Sequence, residues 1–201
     1  MTNTIILGNE VIVSDPCYSI PTWCQKIVKN VLPGEYSVFC KKHDTDGWGN
    51  RVSMLMAVHT DHEDNILKWK LQGPRGIIGV DSGQAGIFDI KSYRNDSIAE
   101  KIGLGDGDIS FFGVSPWKEM SENREGNEGE KWYVTMCSRT LGEQSWGTYN
   151  NGVVSSSGFG DGGYDLFVAR VNRKVVAFAI DFGVEEAKYI DFDWYKETVN
   201  S

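Results

Sequence analysis

The chain has few cysteines, few basic residues and no long apolar run, and each shortage excludes a class of protein. Its 201 residues include four cysteines, whose spacings match neither a paired CxxC zinc site nor a dense disulfide framework. No segment approaches the length of a membrane-spanning helix, and the first residues lack the pattern of a secretory signal. We therefore expect reduced thiols, no membrane insertion and a cytoplasmic location.

The balance of charge disfavours nucleic acid as a partner. Lysine plus arginine number 20 against 28 aspartates plus glutamates, which gives a net charge of -8 at pH 7. A basic or positively polarised partner suits this charge better, although an acidic surface also serves solubility alone. Imitation of DNA by an acidic face is a weaker alternative because the acids are scattered among turns. The oligomeric state is not readable from the sequence.

Aromatic residues and glycines are plentiful and favour strands joined by tight turns. The chain has seven tryptophans and 23 glycines. Apolar and β-branched patterns predict strands at Glu35–Lys41, Arg51–His59, Gly76–Val80, Ala85–Ile90 and Lys131–Cys137. Near the C-terminus an antiparallel three-strand meander is predicted, with strands at Gly152–Ser156, Tyr164–Val171 and Val175–Phe182. We expect a single domain over 1–201 of the mainly β, α+β class, built on an antiparallel sheet or sandwich.

One N-terminal helix is predicted from apolar residues at helical spacing. These residues are Ile20, Trp23, Cys24, Ile27, Val28 and Val31. Ser19 would cap the helix, and Pro33 with Gly34 would end it. The charged, glycine-interrupted segment 118–130 predicts a mobile loop, and the segment Glu185–Thr198 predicts a short helix.

Three glycines formally match the GxGxxG pattern of dinucleotide-binding loops, namely Gly158, Gly160 and Gly163. A helix should follow such a loop, whereas a strand pattern follows here, so we interpret the segment as a tight turn. Its backbone amides can still form an anion-binding nest. The three histidines lack metal-ligand spacing, so no metal site is predicted, and the sequence identifies no cofactor.

An enzymatic hypothesis centres on Cys17, with His59 as a base and Arg51 as a cation for an anionic substrate. The dipole of the predicted helix would lower the pKa of the Cys17 thiol. A buried structural cysteine is the simpler interpretation.

Aspartates at the ends of strand-like runs form a second candidate site, because Asp15, Asp81 and Asp161 could meet at one edge of a sheet. There they could bind Mg²⁺ or serve as acid and base. In the simpler alternative each carboxylate stabilises its own turn. The candidate ligand-binding residues are Asp15, Asp81, Ser82, Gln84, Ser156, Gly160, Asp161 and Tyr164.

Four blocks of the chain resemble an uncharacterised family of phage and bacterial proteins. They are VSDPCY at Val13–Tyr18, WGNRV at Trp48–Val52, GVDSGQAG at Gly79–Gly86 and SSSGFGDGGY at Ser155–Tyr164. Where related sequences read GDGSYP, this chain has Gly163 in place of the serine and Asp165 in place of the proline. The resemblance implies a phage-related origin and carries no established activity.

Two functions remain open after these observations. The first is a small acidic accessory protein that binds a host macromolecule, such as a host protein, or a small anionic ligand through its Gly/Asp-rich loops. The second is a hydrolase or transferase that uses Cys17 with His59, or a cluster of aspartates. The spatial arrangement of these residues distinguishes the two.

Overall fold

The computed structural model describes residues 3–68, 76–98, 129–149 and 151–185, which contain eleven strands and one α-helix. The strands are β1 (Thr4–Leu7), β2 (Glu10–Ser14), β3 (Lys26–Lys29), β4 (Gly34–Asp44), β5 (Asn50–His59), β6 (Gly76–Val80), β7 (Gln84–Asp89), β8 (Trp146–Thr148), β9 (Gly152–Ser156), β10 (Gly162–Val171) and β11 (Lys174–Asp181). The helix α1 spans Glu130–Thr140, and 3₁₀ segments occur at Asp46–Trp48, Thr60–Lys68 and Asp96–Ile98. The loop expected at 118–130, except for its last two residues, and the helix expected beyond Glu185 lie outside the described residues.

Two antiparallel sheets pack face to face around a shared apolar core. The six-stranded sheet has the order β1-β4-β5-β11-β10-β6, and the five-stranded sheet has the order β3-β2-β7-β9-β8. Alternate residues of each strand point inward, so that Leu55 and Ile180 of the first sheet meet Val13, Ile87 and Val153 of the second. The expected mainly β class with antiparallel sheets is confirmed.

The N-terminal helix predicted from Ile20 to Val31 is wrong. This segment is an irregular loop followed by β3, which pairs with β2 in a register that places Lys26 opposite Val13. Trp23, expected on the buried face of the helix, is 92% exposed. Hydrogen bonds to a distant strand therefore outweigh the local helical spacing.

The single helix of the described residues lies where the sequence predicted the strand Lys131–Cys137, so that prediction is also wrong. Trp132, Thr135 and Met136 are buried at the i, i+3, i+4 spacing of a helix face. The carboxylate of Asp96 accepts hydrogen bonds from the backbone N–H groups of Gly129 and Trp132, each at 2.9 Å. This distant cap satisfies N–H groups that the start of a helix leaves unpaired.

The predicted three-strand meander is split between the sheets. Strands β10 and β11 form the expected hairpin, with Val168 opposite Phe178. Strand β9 instead pairs with β7 and β8 in the five-stranded sheet, so that the turn at 157–161 crosses from one sheet to the other. The chain also crosses between the sheets at Asp81–Gly83, between β6 and β7.

Candidate functional site

Asp15, which directly follows β2, fastens two loops together. Its side chain is fully buried. One carboxylate oxygen accepts hydrogen bonds from the Cys17 N–H at 2.8 Å and from the Ser82 hydroxyl at 2.7 Å. The other oxygen accepts from the backbone N–H groups of Asp81 at 2.8 Å and Ser82 at 2.7 Å. The carboxylate thus ties the loop after β2 to the crossing between the two sheets.

The glycine-rich turn at 157–161 lies beside this crossing. The Ser157 N–H donates to the carbonyl of Gly83 at 3.0 Å. Within the turn, the Tyr164 hydroxyl donates to the carbonyls of Gly160 at 2.6 Å and Ser157 at 2.9 Å. We call the three segments Asp15–Tyr18, Asp81–Gly83 and Ser157–Asp161 the loop end of the protein. These segments belong to three of the four sequence blocks that resemble the phage and bacterial family, so those three blocks lie close together in the structure.

The three candidate aspartates differ in accessibility. Asp15 is buried, whereas Asp81 and Asp161 are exposed. Val80 of β6 pairs with Gly162 of β10 at the end of the six-stranded sheet. Asp81 and Asp161, the residues next to this pair, therefore lie at the ends of two adjacent strands. The loop end accordingly has two exposed carboxylates, of which Asp81 also accepts a hydrogen bond from the Tyr18 hydroxyl, and one buried carboxylate.

Gln84 and Ser156 lie behind the loop end rather than on its surface. They are direct partners in the β7–β9 pairing. The buried Gln84 side chain donates from Nε2 to the Cys137 Sγ of α1 at 3.3 Å, and its Oε1 has no hydrogen-bond partner among the described residues. These two residues connect the loop end to the helix, so they are poorly placed to contact a large partner directly.

Further carboxylates crowd the same end of the six-stranded sheet. Asp165 pairs with Asp181 across β10 and β11. Burial raises the pKa of Asp181, and the negative charges of Asp165 and Glu185 raise it further, although a hydrogen bond from Gly183 N–H opposes the shift. Burial also acts to raise the pKa of Glu185, but the Lys41 ammonium at 2.8 Å outweighs it and lowers that pKa. Asp165 and Asp181 therefore lie side by side at this end, where Lys41 neutralises Glu185.

Exposed apolar side chains accompany the acids of the loop end. Phe159, within the turn at 157–161, is 56% exposed. Trp23 precedes Cys24, whose carbonyl accepts a hydrogen bond from the Gly79 N–H of β6 at 3.1 Å. The loop that carries Trp23 therefore runs along β6 toward Asp81. Large exposed aromatics beside polar groups are typical of surfaces that contact other molecules.

The residues of the enzymatic hypothesis do not come together in the structure. Cys17 lies at the loop end, whereas His59 lies at the opposite end of the six-stranded sheet, where it pairs with Tyr36. There the His59 ring packs against the Tyr36 ring at 5.1 Å between centroids. Arg51 lies on β5, which β11 and β10 separate from β6, so roughly 14 Å of sheet divides it from the Asp81 crossing.

The environment of Cys17 opposes its use as a nucleophile. Burial raises the pKa of the thiol to about 12, and the hydrogen bond and charge of Asp15 and the charge of Asp81 act in the same direction. The helix that was expected to lower this pKa is absent at this point of the chain. A thiol with so high a pKa carries almost no thiolate at neutral pH.

Two residues that the sequence reasoning missed also hold the loop after β2. The Tyr93 hydroxyl donates to the carbonyls of Asp15 at 2.9 Å and Tyr18 at 2.7 Å. The Arg94 guanidinium donates from Nη1 to the carbonyls of Pro16 and Cys17, each at 3.0 Å. A Tyr-Arg pair in a turn carries no local signal for this role, because its partners lie more than 70 positions earlier in the chain.

Comparison of the chain with protein-family models, curated proteins and solved structures finds no match. Across the described residues, no helix combines the length and apolar character that crossing a membrane requires. Within the same residues, no group of three His, Cys, Asp or Glu side chains is placed to hold a metal ion. The fold and site define a two-sheet antiparallel β protein with a fixed, acidic loop end.

Proposed function

We propose that the protein is a small, phage-related accessory protein that binds a basic surface of a host protein through its loop end. The observation that carries the proposal is the set of four hydrogen bonds that the Asp15 carboxylate accepts. They fix the loops before any partner arrives, so binding pays little ordering entropy. The sequence blocks that resemble phage proteins include the segments that form this end.

Charge selects a basic partner over a small anion at this surface. Asp81 and Asp161 are exposed at the loop end, and Asp165, Asp181 and Glu185 lie close by at the end of the same sheet. An anionic ligand would meet repulsion from the aspartates, whereas Glu185 is already paired with Lys41. Lysine and arginine side chains of a partner would be attracted. The anion-binding nest considered for the glycine turn is disfavoured by the same aspartates.

Exposed apolar groups supply the contacts that charge alone does not. Binding energy at protein interfaces concentrates in a few aromatic anchors surrounded by a polar rim. Phe159 and Trp23 have the size and exposure for this role, and Asp81 and Asp161 would form part of the rim. The partner surface that fits is therefore basic, with apolar recesses between its cationic side chains.

The alternative of a hydrolase or transferase has weaker support. The Asp15 oxygens are occupied by four donors, which leaves the carboxylate poorly available as a base or metal ligand. Cys17 has a raised pKa and no nearby histidine partner, since His59 lies at the other end of the sheet. Cys17 and His59 are therefore too far apart to act as nucleophile and base in one catalytic pair.

The proposal can be tested by selection of binding partners followed by calorimetry. The intact protein would be offered a display library of host-protein fragments, and the affinity of purified fragments would then be measured. We expect the selected fragments to be basic and their affinity to fall as salt rises. The double variant Asp81→Lys/Asp161→Lys should bind them at least about tenfold more weakly, because two attractive charges become repulsive.

A matched charge reversal provides the control. Glu35 is exposed on β4 at the opposite end of the six-stranded sheet, so Glu35→Lys changes the net charge without touching the loop end. Its affinity should stay close to that of the native chain. Selection of acidic fragments, or equal losses for the loop-end and Glu35 variants, would contradict the proposal.

A further inference from the structure

A groove opens between the two sheets on the side away from the loop end, where the edge strand β3 lies opposite β10. Its volume is about 640 Å³, within the range of pockets that hold small molecules. Its lining includes the apolar residues Val28, Leu166 and Val168 and the cationic residues Lys26 and Arg170. Lys29 also lines the groove, but its side chain lies on the other face of β3. We call this feature the β3–β10 groove.

The groove lies beyond the last described pair of β6 and β10. The described pairing of β6 with β10 ends where Gly76 meets Leu166. Beyond that point Val168 and Arg170 continue on the face of β10 that Leu166 occupies, since alternate residues share a face. Leu166 and Val168 belong to the core between the sheets, so the groove leads from solvent to apolar side chains.

The contacts of the three cations distinguish Lys26 and Arg170 from Lys29, which is paired on the outer face of β3. The Lys26 side chain lies over Gly76, where an added Cβ would stand 2.7 Å from the lysine Cε. The Lys29 ammonium lies 3.7 Å from the Glu10 carboxylate in an exposed ion pair. The Arg170 guanidinium donates from Nη1 to the carbonyl of Arg173 at 3.3 Å. Glycine at position 76 is thus what makes room for the Lys26 stem.

The local charge is opposite to that of the molecule as a whole. The chain carries a net charge of -8, yet the charged side chains that face this groove among its described lining residues are the cations Lys26 and Arg170. Lysine and arginine at the mouth of an apolar recess complement a ligand with an anionic head and an apolar body. A purely apolar ligand would leave the cations unused, and a purely ionic one would leave the floor uncovered.

We propose that the β3–β10 groove binds a small amphipathic anion, with its acidic head at Lys26 and Arg170 and its apolar body over Leu166 and Val168. The proposal does not depend on the function proposed for the loop end. Ligand binding here and partner binding there would use different residues.

Calorimetry on the full chain tests the groove with three probes: sodium octanoate, octan-1-ol and inorganic phosphate. We expect octanoate to bind with a dissociation constant below about 1 mM. Octanol and phosphate should each bind at least about tenfold more weakly, because each lacks one half of the complementary chemistry. The variant Lys26→Met/Arg170→Gln should weaken octanoate binding by about tenfold, since it removes charge and retains much of each side-chain stem.

The variant Lys131→Gln is the matched control, because Lys131 is exposed on α1, outside the groove. It should bind octanoate as the native chain does. Equal affinity for octanol and octanoate, or for phosphate and octanoate, would overturn the proposal. So would unchanged octanoate affinity in the Lys26/Arg170 variant, or binding of a polyglutamate peptide without any binding of octanoate.

Discussion

At the scale of single residues, the aspartates of the loop end divide between structure and surface. Asp15 is buried with four donors on its two oxygens, while Asp81 and Asp161 are exposed. A buried carboxylate is tolerated when donors replace the water it loses. The simpler interpretation, in which an aspartate stabilises a turn, therefore applies to Asp15. Asp81 and Asp161 are the two aspartates that a partner would contact.

The substitution Asp15→Asn tests this structural role. It retains the shape of the side chain but turns an oxygen that accepts hydrogen bonds into an amino group that faces N–H donors. We expect the free energy of unfolding to fall by about 3 kcal/mol, because donors are left unsatisfied in a buried place. Urea unfolding monitored by tryptophan fluorescence measures the change. The exposed variant Asp161→Asn should stay within about 0.5 kcal/mol of the native chain, and equal stability of the two variants would refute the role.

At the scale of elements, strands were predictable wherever local patterns and long-range pairing agree. The prediction Gly76–Val80 matches β6, and Glu35–Lys41 lies within β4. The predictions of an N-terminal helix and of a strand at Lys131–Cys137 were wrong because local sequence patterns and long-range contacts favour different structures in those segments. Lys26–Lys29 pairs with distant β2 despite helical spacing, and Trp132 anchors a helix despite the β-favouring residues around it. The i, i+3, i+4 spacing of Trp132, Thr135 and Met136 was the signal available for the helix.

Helix α1 is attached to the five-stranded sheet mainly through Trp132, which is 2% exposed. Its ring packs edge-on against Phe88 at 5.1 Å and against Tyr93 at 5.0 Å between centroids. We expect Trp132→Ala to lower the free energy of unfolding by about 3–5 kcal/mol, because it removes a large buried aromatic. Chemical denaturation followed by far-UV circular dichroism measures this loss.

A substitution at the exposed end of the helix provides the comparison for Trp132. Leu141 follows α1 and is 69% exposed, so Leu141→Ala should change stability by less than about 0.5 kcal/mol. Because the Tyr93 hydroxyl holds the loop after β2, Trp132→Ala should also weaken partner binding at the loop end. A Trp132→Ala protein as stable as the Leu141→Ala protein would mean that the aromatic cluster does not attach the helix.

At the scale of the whole molecule, charge is distributed unevenly between two regions. Exposed aspartates lie at the loop end, the adjoining end of the six-stranded sheet carries both carboxylates and the cations Lys41 and Arg51, and Lys26 and Arg170 face the β3–β10 groove. The sequence contained the blocks that meet at the loop end, but their meeting depends on Asp81–Gly83 and 157–161 crossing between sheets. Spacing along a chain does not report such crossings. The groove had no sequence signal, since its residues come from separate strands.

The raised pKa of Asp181 predicts how the stability of the protein depends on pH. Because the pKa of Asp181 is raised in the folded protein, the folded state binds more protons than the unfolded state between the two pKa values. Its contribution to stability is therefore lost as pH rises through that window. We expect Asp181→Asn to be more stable than the native chain at pH 7, by about 0.5 kcal/mol for a half-buried group. The gain should vanish near pH 3, where Asp181 is largely protonated in both the folded and the unfolded protein.

Glu185 provides a control of opposite sign, because its pKa is lowered by the Lys41 ammonium at 2.8 Å. The stabilisation it supplies is present above its unfolded pKa and is lost as pH falls through the folded pKa. Glu185→Gln should therefore be less stable than the native chain at pH 7 and approach it under acid conditions. Urea unfolding of both variants across this pH range separates the two effects. If Asp181→Asn is no more stable than the native chain at pH 7, or keeps its advantage near pH 3, burial and the neighbouring charges do not raise the pKa of Asp181 in the folded protein.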